Sequence, residues 1–355
     1  MRCNHLMMTV WYGYHMTFNV SFSIVARHHI NSMRKMGIRV IEFDLSQMNT
    51  IYWQTRPAVF VHPLFHLFYL QKNNDISRFL KIKERTSMLV GLDVADSDQI
   101  SYTAVKFANN FDCIVLPSEH AKRTYLSSGV NTKIVVVPHG VSDIFLQDET
   151  PEYSRLLDLM TKIRSSSKVV FGTMVRHSEY RKGLDLVTSF FEEIKKHIPN
   201  SSLVVLSSSY APKSNEPNIF YVTEYLNESD LVFFYDNIDI FLMFSRGGGF
   251  EIPALESISR LTPVIAAKGW SWDEYLPEYC LVDSHRCKYV LPKNPIHIGG
   301  GVEIEIDKAV DKALDMINNL DDYKARLMQY RESVIKTKYN WDAVTSRLVN
   351  SVLGV

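Results

Sequence analysis

Read for apolar and polar positions, the chain alternates between short buried runs and stretches with helical spacing. LMMTVWYG predicts a buried first strand running into Gly13. From Asn19 to Met36 the spacing turns helical, with Phe22, Val25, His29, Met33 and Met36 on one face, and Gly37 stops it. IRVIEF, AVFVH and SMLVGLDV follow as strands, with a helical stretch from Ser101 to Asn110 behind the last of them. CIVLPSEHAKRTYLSSGV reads as strand, turn, helix and stop, with Ser118 placed to cap the helix, and KIVVVPHGV closes the half as another strand. Strands separated by helices in this way predict an open, mostly parallel α/β sheet.

The alternation breaks between Gln147 and Ser167, where the chain is charged and then serine-rich, and a domain link is expected there. It restarts at KVVFGTMV. GLDLVTSFFEEIKKHI predicts a helix, SSLVVLSS, NIFYVT and NIDIFLMFS predict strands, and Ala254 to Arg260 a short helix before TPVIAA. Ile306 to Lys338 reads as charged amphipathic helix, and YNWDAVTSRLVNSVL as a final one. The expectation is two doubly wound Rossmann-like domains, 1–150 and 165–338, facing across a cleft, with 339–355 packing back on the first. In such sheets ligands bind beyond the carboxyl ends of the strands.

Composition narrows this picture. A chain of 355 residues fits about two domains at roughly 150 residues each. With 46% hydrophobic and 22% charged residues, global disorder is excluded. Lys+Arg and Asp+Glu both count 39, so the basic excess of a generic nucleic-acid binder is missing. Cys3, Cys113, Cys280 and Cys287 form no Cys-x-x-Cys pair and are too sparse for a disulfide scaffold, so free thiols in a reducing compartment are expected. The apolar run from Ala58 to Leu70 is interrupted by His62, Pro63 and His66 and is shorter than the ~20 residues that span a bilayer. A cytoplasmic protein is expected.

Two segments carry chemistry. In FGTMVRHSEYRKGLD, Arg176 and Lys182 flank a polar loop between a strand end and a helix opened by Gly183. An arginine fork and a lysine point charge beside a helix start suit a diphosphate, although a solvated basic loop has the same composition. In FSRGGGFEIPALESISR, Gly247, Gly248 and Gly249 let backbone approach a ligand, and Glu251 and Glu256 follow. A carboxylate at Glu256 can accept two hydrogen bonds from a vicinal diol such as a ribose, or simply sit on a helix surface.

In this order, the two segments resemble the retaining GT-B glycosyltransferases of glycosyltransferase family 4. The resemblance is strongest from Lys168 to Leu276 and extends loosely to PSEHAKRTYLSSGVNTKIVVVPHGV and YNWD. It implies that Arg176 and Lys182 hold and neutralise the donor diphosphate. It implies that Glu256 binds the nucleotide ribose, that the Gly249 and Phe250 amides face the donor sugar, and that Gly13 lets a loop reach the phosphates. It implies front-face transfer through an oxocarbenium-like transition state, from a UDP- or GDP-linked sugar to an acceptor hydroxyl on a glycan, lipid or protein. No metal or other cofactor is implied.

Two departures stand out. The first of the family's two glutamates falls on Gly248, and Glu251 lies three residues on, where it either supplies the missing carboxylate or alters the turn. Where the family often has a histidine, LVGLDVADSD offers Asp93 and Asp96. Asp93 and His139 are therefore the acceptor-side candidates.

Other signals weigh less. Asp96-Ser97-Asp98 has metal-binding spacing, but the resemblance does not call for a metal. His62 and His66 sit in an apolar setting and read as core histidines. FHLFYL with the basic KIKER reads as core packing or as a peripheral dock for a membrane or lipid-linked acceptor. The Gly248 departure leaves open a catalytically weak module that binds a nucleotide sugar or glycan without turnover. With only Gly13 at the first turn, a nicotinamide-dependent oxidoreductase ranks below both.

Overall fold

The computed structural model describes residues 8–17, 20–48, 50–51, 53, 55–66, 77–176, 178–207 and 216–354, with the side chains of 77–79 excepted. Cys3 and most of the FHLFYL run lie outside the described residues. The chain divides into two compact units.

The first unit comprises Met1–Gly140, Asn294–Ile298 and Trp341–Val355. Its six parallel strands are β1 (Thr9–Tyr14), β2 (Arg39–Asp44), β3 (Ala58–His62), β4 (Met88–Leu92), β5 (Cys113–Leu116) and β6 (Lys133–Val136), in the order β2-β1-β3-β4-β5-β6. The helices are α1 (Ser21–Lys35), α2 (Ser77–Glu84), α3 (Tyr102–Ala108) and α4 (Glu119–Ser128). In β3 and β4 nearly every residue is buried, as expected of strands covered on both faces. Helix α1 buries Val25, Ala26, His29, Ile30 and Met33 along one stripe. Ser118 caps α4 by accepting from the Ala121 amide at 3.0 Å, and Gly129, with φ of 109°, ends it.

The second unit comprises Val141–Lys293 and Gly299–Asn340. Its parallel strands are β7 (Val169–Val175), β8 (Ser201–Ser207), β9 (Ile219–Val222), β10 (Ile240–Met243), β11 (Val264–Ala267) and β12 (Leu281–Val282), in the order β12-β11-β10-β7-β8-β9. Around them lie α5 (Leu157–Ser166), α6 (Glu179–Lys182), α7 (Leu184–His197), α8 (Glu228–Asp236) and α9 (Ile252–Ser259). An antiparallel hairpin follows, formed by β13 (Ser284–Cys287) and β14 (Gly301–Ile304). Helices α10 (Ile306–Asn318) and α11 (Leu320–Tyr330) come next, and a π-helical stretch, Arg331–Ile335, continues α11. The last helix, α12 (Trp341–Leu353), belongs to the first unit. There it runs against α1: Ser32 Oγ donates to Asp342 at 2.6 Å, and the His28 ring stacks on Trp341 at 4.6 Å.

Two readings change. The charged stretch 147–167, expected as a link, contains α5, which packs into the second unit through the buried Met160 and Ile163. Gly13 is not a loop glycine. It lies inside β1, opposite Phe43 on β2 and Val61 on β3, and a Cβ there would overlap the Phe43 ring and stand 2.9 Å from Leu45 Cδ2. The packing of Phe43 explains that glycine.

In both sheets the winding reverses once. The chain adds β2 on one side of β1 and then β3 on the other. It adds β8 and β9 on one side of β7 and then β10 on the other. Each reversal splays the following loops apart, which makes the carboxyl edge between β7 and β10 the natural ligand crevice of the second unit.

Candidate functional site

Both chemistry-bearing segments leave the strands that flank this reversal. Strand β7 hands the chain to Arg176 and α6, and β10 hands it to 244–251. The two loops are built as one piece. Gly183, with φ of 68°, lies between α6 and α7, where a Cβ would overlap the Phe244 carbonyl, so only glycine lets the turn close on the end of β10. The Arg246 amide donates to the Arg181 carbonyl at 2.7 Å.

Arg246 itself is buried beneath both loops. Its guanidinium donates to the Tyr180 carbonyl at 2.6 Å, to both Asp185 oxygens at 2.8 and 2.7 Å, and to Glu303 on β14 at 2.6 Å. It also lies 3.9 Å from the centre of the Tyr180 ring. Burial works against the charged guanidinium, but the hydrogen bonds to Asp185 and Glu303 outweigh it and raise its pKa. Sequence reasoning passed over Arg246, because its partners are more than fifty residues away along the chain.

Lys182 and Glu251 meet: the Lys182 Nζ donates to Glu251 Oε2. Arg181, which sequence reasoning also missed, approaches Glu251 Oε1 from the other side at 3.4 Å and donates to the Gly247 carbonyl at 2.9 Å. The Arg181 and Glu251 side chains are each only 5% exposed. Glu251 has a φ of 68°, a left-handed conformation uncommon for a residue with a side chain. The Tyr275 hydroxyl holds this turn, 2.7 Å from both the Phe250 and Glu251 carbonyls, and its ring stacks on Phe250 at 4.5 Å. The Gly248 carbonyl accepts from Trp270 Nε1 at 2.9 Å and from Ser271 Oγ at 2.8 Å. A Cβ on Gly248 would overlap Glu251 Oε1 and lie 3.3 Å from Arg181 Nη1. The carboxylate of Glu251 thus stands where a side chain at 248 would begin, carried there by a residue in the left-handed region.

Glu256 and Arg176 have different partners. On α9, the Glu256 carboxylate accepts from the Tyr235 hydroxyl of α8 at 3.0 Å. Burial pushes its carboxyl up to about 7, the Tyr235 hydrogen bond opposes the rise, and Glu228 adds to it. Arg176 donates to the Glu224 carbonyl at 2.9 Å, and its charge is felt by the Tyr235 hydroxyl. Burial lowers the Arg176 pKa from its ordinary value, which still leaves an arginine charged at neutral pH. Tyr235 is thus the hydrogen-bond donor to Glu256, another contributor the sequence did not signal.

The remaining candidates belong to the first unit. Asp93 follows β4 and accepts from the Phe65 amide at 3.1 Å and the Val94 amide at 2.8 Å; burial raises its carboxyl to about 7 against those bonds. His139 follows β6, its ring 6.5 Å from that of Trp341, and burial depresses it to about 3, so it is a neutral imidazole. His29 is held at about 3 chiefly by burial, with Nδ1 3.0 Å from the Tyr12 hydroxyl, and His62 is buried and depressed as well.

“Uncharacterized protein 356” of Sulfolobus islandicus rod-shaped virus 1 is 31% identical over 350 residues, covering 96% of this chain and 97% of that one. The chain belongs to the family of that viral protein. No family model matches. A more distant relative, “Putative glycosyltransferase 45” of Sulfolobus islandicus filamentous virus, is 23% identical over 337 residues, 91% of this chain and 88% of that one.

Among solved structures, Anabaena Alr3699/HepE in complex with UDP and glucose superposes with a TM-score of 0.72 at 11% identity, covering 98% of this chain and 100% of that one. The trehalose-6-phosphate synthase OtsA gives a TM-score of 0.70 at 10% identity, covering 98% and 99%. These neighbours are GT-B glycosyltransferases, and this chain shares their GT-B fold of two parallel-sheet α/β domains.

Proposed function

We propose that this chain is a glycosyltransferase that moves a sugar from a nucleoside-diphosphate sugar to an acceptor hydroxyl, with retention at the anomeric carbon. Fold alone does not carry function, so the reading rests on the site. The observation that carries it is the placement of Arg176, Lys182 and Glu256 on the loops and helix that follow β7 and β10, at the one reversal in the second sheet. The name of the filamentous-virus relative and the UDP bound to HepE support it.

In this reading the second unit binds the donor. Arg176 and Lys182 face the diphosphate, and Glu256, steered by Tyr235, accepts hydrogen bonds from the ribose hydroxyls. The bond from the anomeric carbon to the diphosphate oxygen breaks, and the acceptor oxygen bonds to the same face of that carbon. The acceptor proton passes to the departing phosphate. The two cations act by meeting the charge that builds on the leaving group, an electrostatic effect of roughly 2.7–4 kcal/mol per well-placed donor. Arg176 and Lys182, rather than a metal ion, meet that charge. The first unit would take the acceptor, with Asp93 and His139 as candidate contacts, and the protein would act in the cytoplasm. No helix among the described residues is long and apolar enough to cross a membrane.

A second reading has its own observation. Glu251 is engaged by both Lys182 and Arg181, as would suit a module that binds a nucleotide sugar without turning it over. A thermal-shift panel of UDP, GDP and ADP sugars, followed by assays of donor hydrolysis and transfer, separates the two. A true donor at 100 times its dissociation constant adds about 2.7 kcal/mol of stability. Stabilisation with turnover supports the enzyme, stabilisation without it supports the module, and no stabilisation by any nucleotide sugar overturns both.

A further inference from the structure

We propose that Arg181 is a charge-balancing positioning residue: it neutralises Glu251 so that Lys182 keeps its positive charge for a ligand phosphate. The inference rests on the diphosphate reading above and adds to it a residue that need not touch the ligand.

The geometry sets up a three-body problem. Glu251 is buried, its backbone lies in the left-handed region, and its carboxylate lies between Lys182 Nζ on one oxygen and Arg181 Nη1 on the other. A carboxylate paired with Lys182 alone would cancel that lysine's charge, and an incoming phosphate would have to compete with it. Two cations against one carboxylate leave one positive charge. Arg181 is the better placed to be spent inside the protein, because its side chain is 5% exposed and also tied to the Gly247 carbonyl, whereas that of Lys182 is 14% exposed. In a site this dry, interactions are screened weakly, so the balance among the three groups governs the field an anion meets.

Glu251 has a use in this arrangement. Lysine carries four rotatable carbons and considerable conformational entropy. A fixed carboxylate holds the ammonium in one place before the ligand arrives, and Arg181 offsets the electrostatic penalty of doing so. Gly248 belongs to the same device, since its lack of a side chain leaves the room that the carboxylate fills.

The test is UDP binding by calorimetry to the full chain, as wild type, Arg181→Gln, Glu251→Gln and the double variant, at two salt concentrations. Arg181→Gln should weaken UDP binding roughly tenfold, because Glu251 then cancels Lys182. Glu251→Gln adds one net positive charge to the site and should bind UDP with a steeper salt dependence than wild type. The double variant restores the net charge and should return to within roughly threefold of wild type. Recovery is the decisive readout, because a purely structural arginine would leave the double variant as damaged as the single one.

If Arg181→Gln does not fold, Glu251→Gln alone decides: a steeper salt dependence of UDP binding supports the proposal, and an unchanged or shallower one overturns it. Wild-type affinity in Arg181→Gln, or no recovery in the double variant, also overturns it and leaves the diphosphate reading standing. If the wild type binds none of UDP, GDP or ADP, both fall.

Discussion

The carboxylate of Glu251 fills the space in which a side chain on Gly248 would start, and the two residues behave as one unit. Enlarging either one moves the other. Gly248→Ala should therefore displace Glu251 from Lys182 and Arg181 and cost about 1–3 kcal/mol, the usual penalty for overpacking a tight site. Chemical denaturation of wild type and variant measures it. An unchanged midpoint with unchanged slope would show that the turn absorbs a methyl group and that the two residues are not coupled.

Arg176 sits at the end of β7, half-buried, with the Glu224 carbonyl as its hydrogen-bond partner. Arg176→Ala should lower turnover by roughly 10²–10³, the range for loss of a donor aimed at developing charge, while the melting temperature moves by only a few degrees. Steady-state kinetics beside a thermal melt checks both halves. Near-normal turnover in a folded variant removes Arg176 from the reaction.

Glu256 gives the second unit a pH signature. Its folded carboxyl is raised to about 7 from an ordinary 4.5, so between those values the folded state holds a proton that the unfolded state has lost. This contribution is complete below about 4.5 and disappears as pH climbs through about 7. Glu256→Gln should flatten the fall in stability across that window. Tyr235→Phe deletes the hydrogen bond that favours the carboxylate and should shift the window upward. Urea titrations from pH 5 to 8 report on both, and parallel pH profiles for wild type and Glu256→Gln would contradict the assignment.

His29 has the opposite sign. Its folded pKa is lowered to about 3 from 6.5, so stability is complete above 6.5 and drains away as pH falls toward 3. Burial is the main cause, the neighbouring His139 and His28 add to it, and the Tyr12 hydroxyl lies on its Nδ1. Asp93 in the same unit pulls the other way, with its carboxyl raised to about 7. The measurable quantity is thus the difference between wild type and His29→Gln: the variant should lose less stability than the wild type from pH 6.5 to 5. An equal loss in both proteins would place the acid sensitivity elsewhere.

Much of the architecture could be read from periodicity. Strand β7 and helix α7 are long, evenly patterned and bounded by Gly183, and Ser118 and Gly129 mark the ends of α4 by their chemistry alone. Where reading went astray, the cause was distant. Helix α5 commits only Met160 and Ile163 to the core and presents charge elsewhere, so it resembled a link. Gly13 is demanded by Phe43, thirty residues on. The candidate site was legible as Arg176, Lys182, Glu251 and Glu256 because those residues lie in two short segments. Arg181, Tyr235 and Arg246 escaped because burial and pairing, rather than local pattern, define what they do. Arg181 meets Glu251 across 70 positions of chain.

Arg246 imposes a constraint on how this surface can evolve. A single guanidinium fastens Tyr180, Asp185 and Glu303, so the architecture of the two loops hangs on four positions. Lineages that keep these loops should exchange those four in concert or leave them alone, and a lone change at the exposed Asp185 would loosen both loops from the surface.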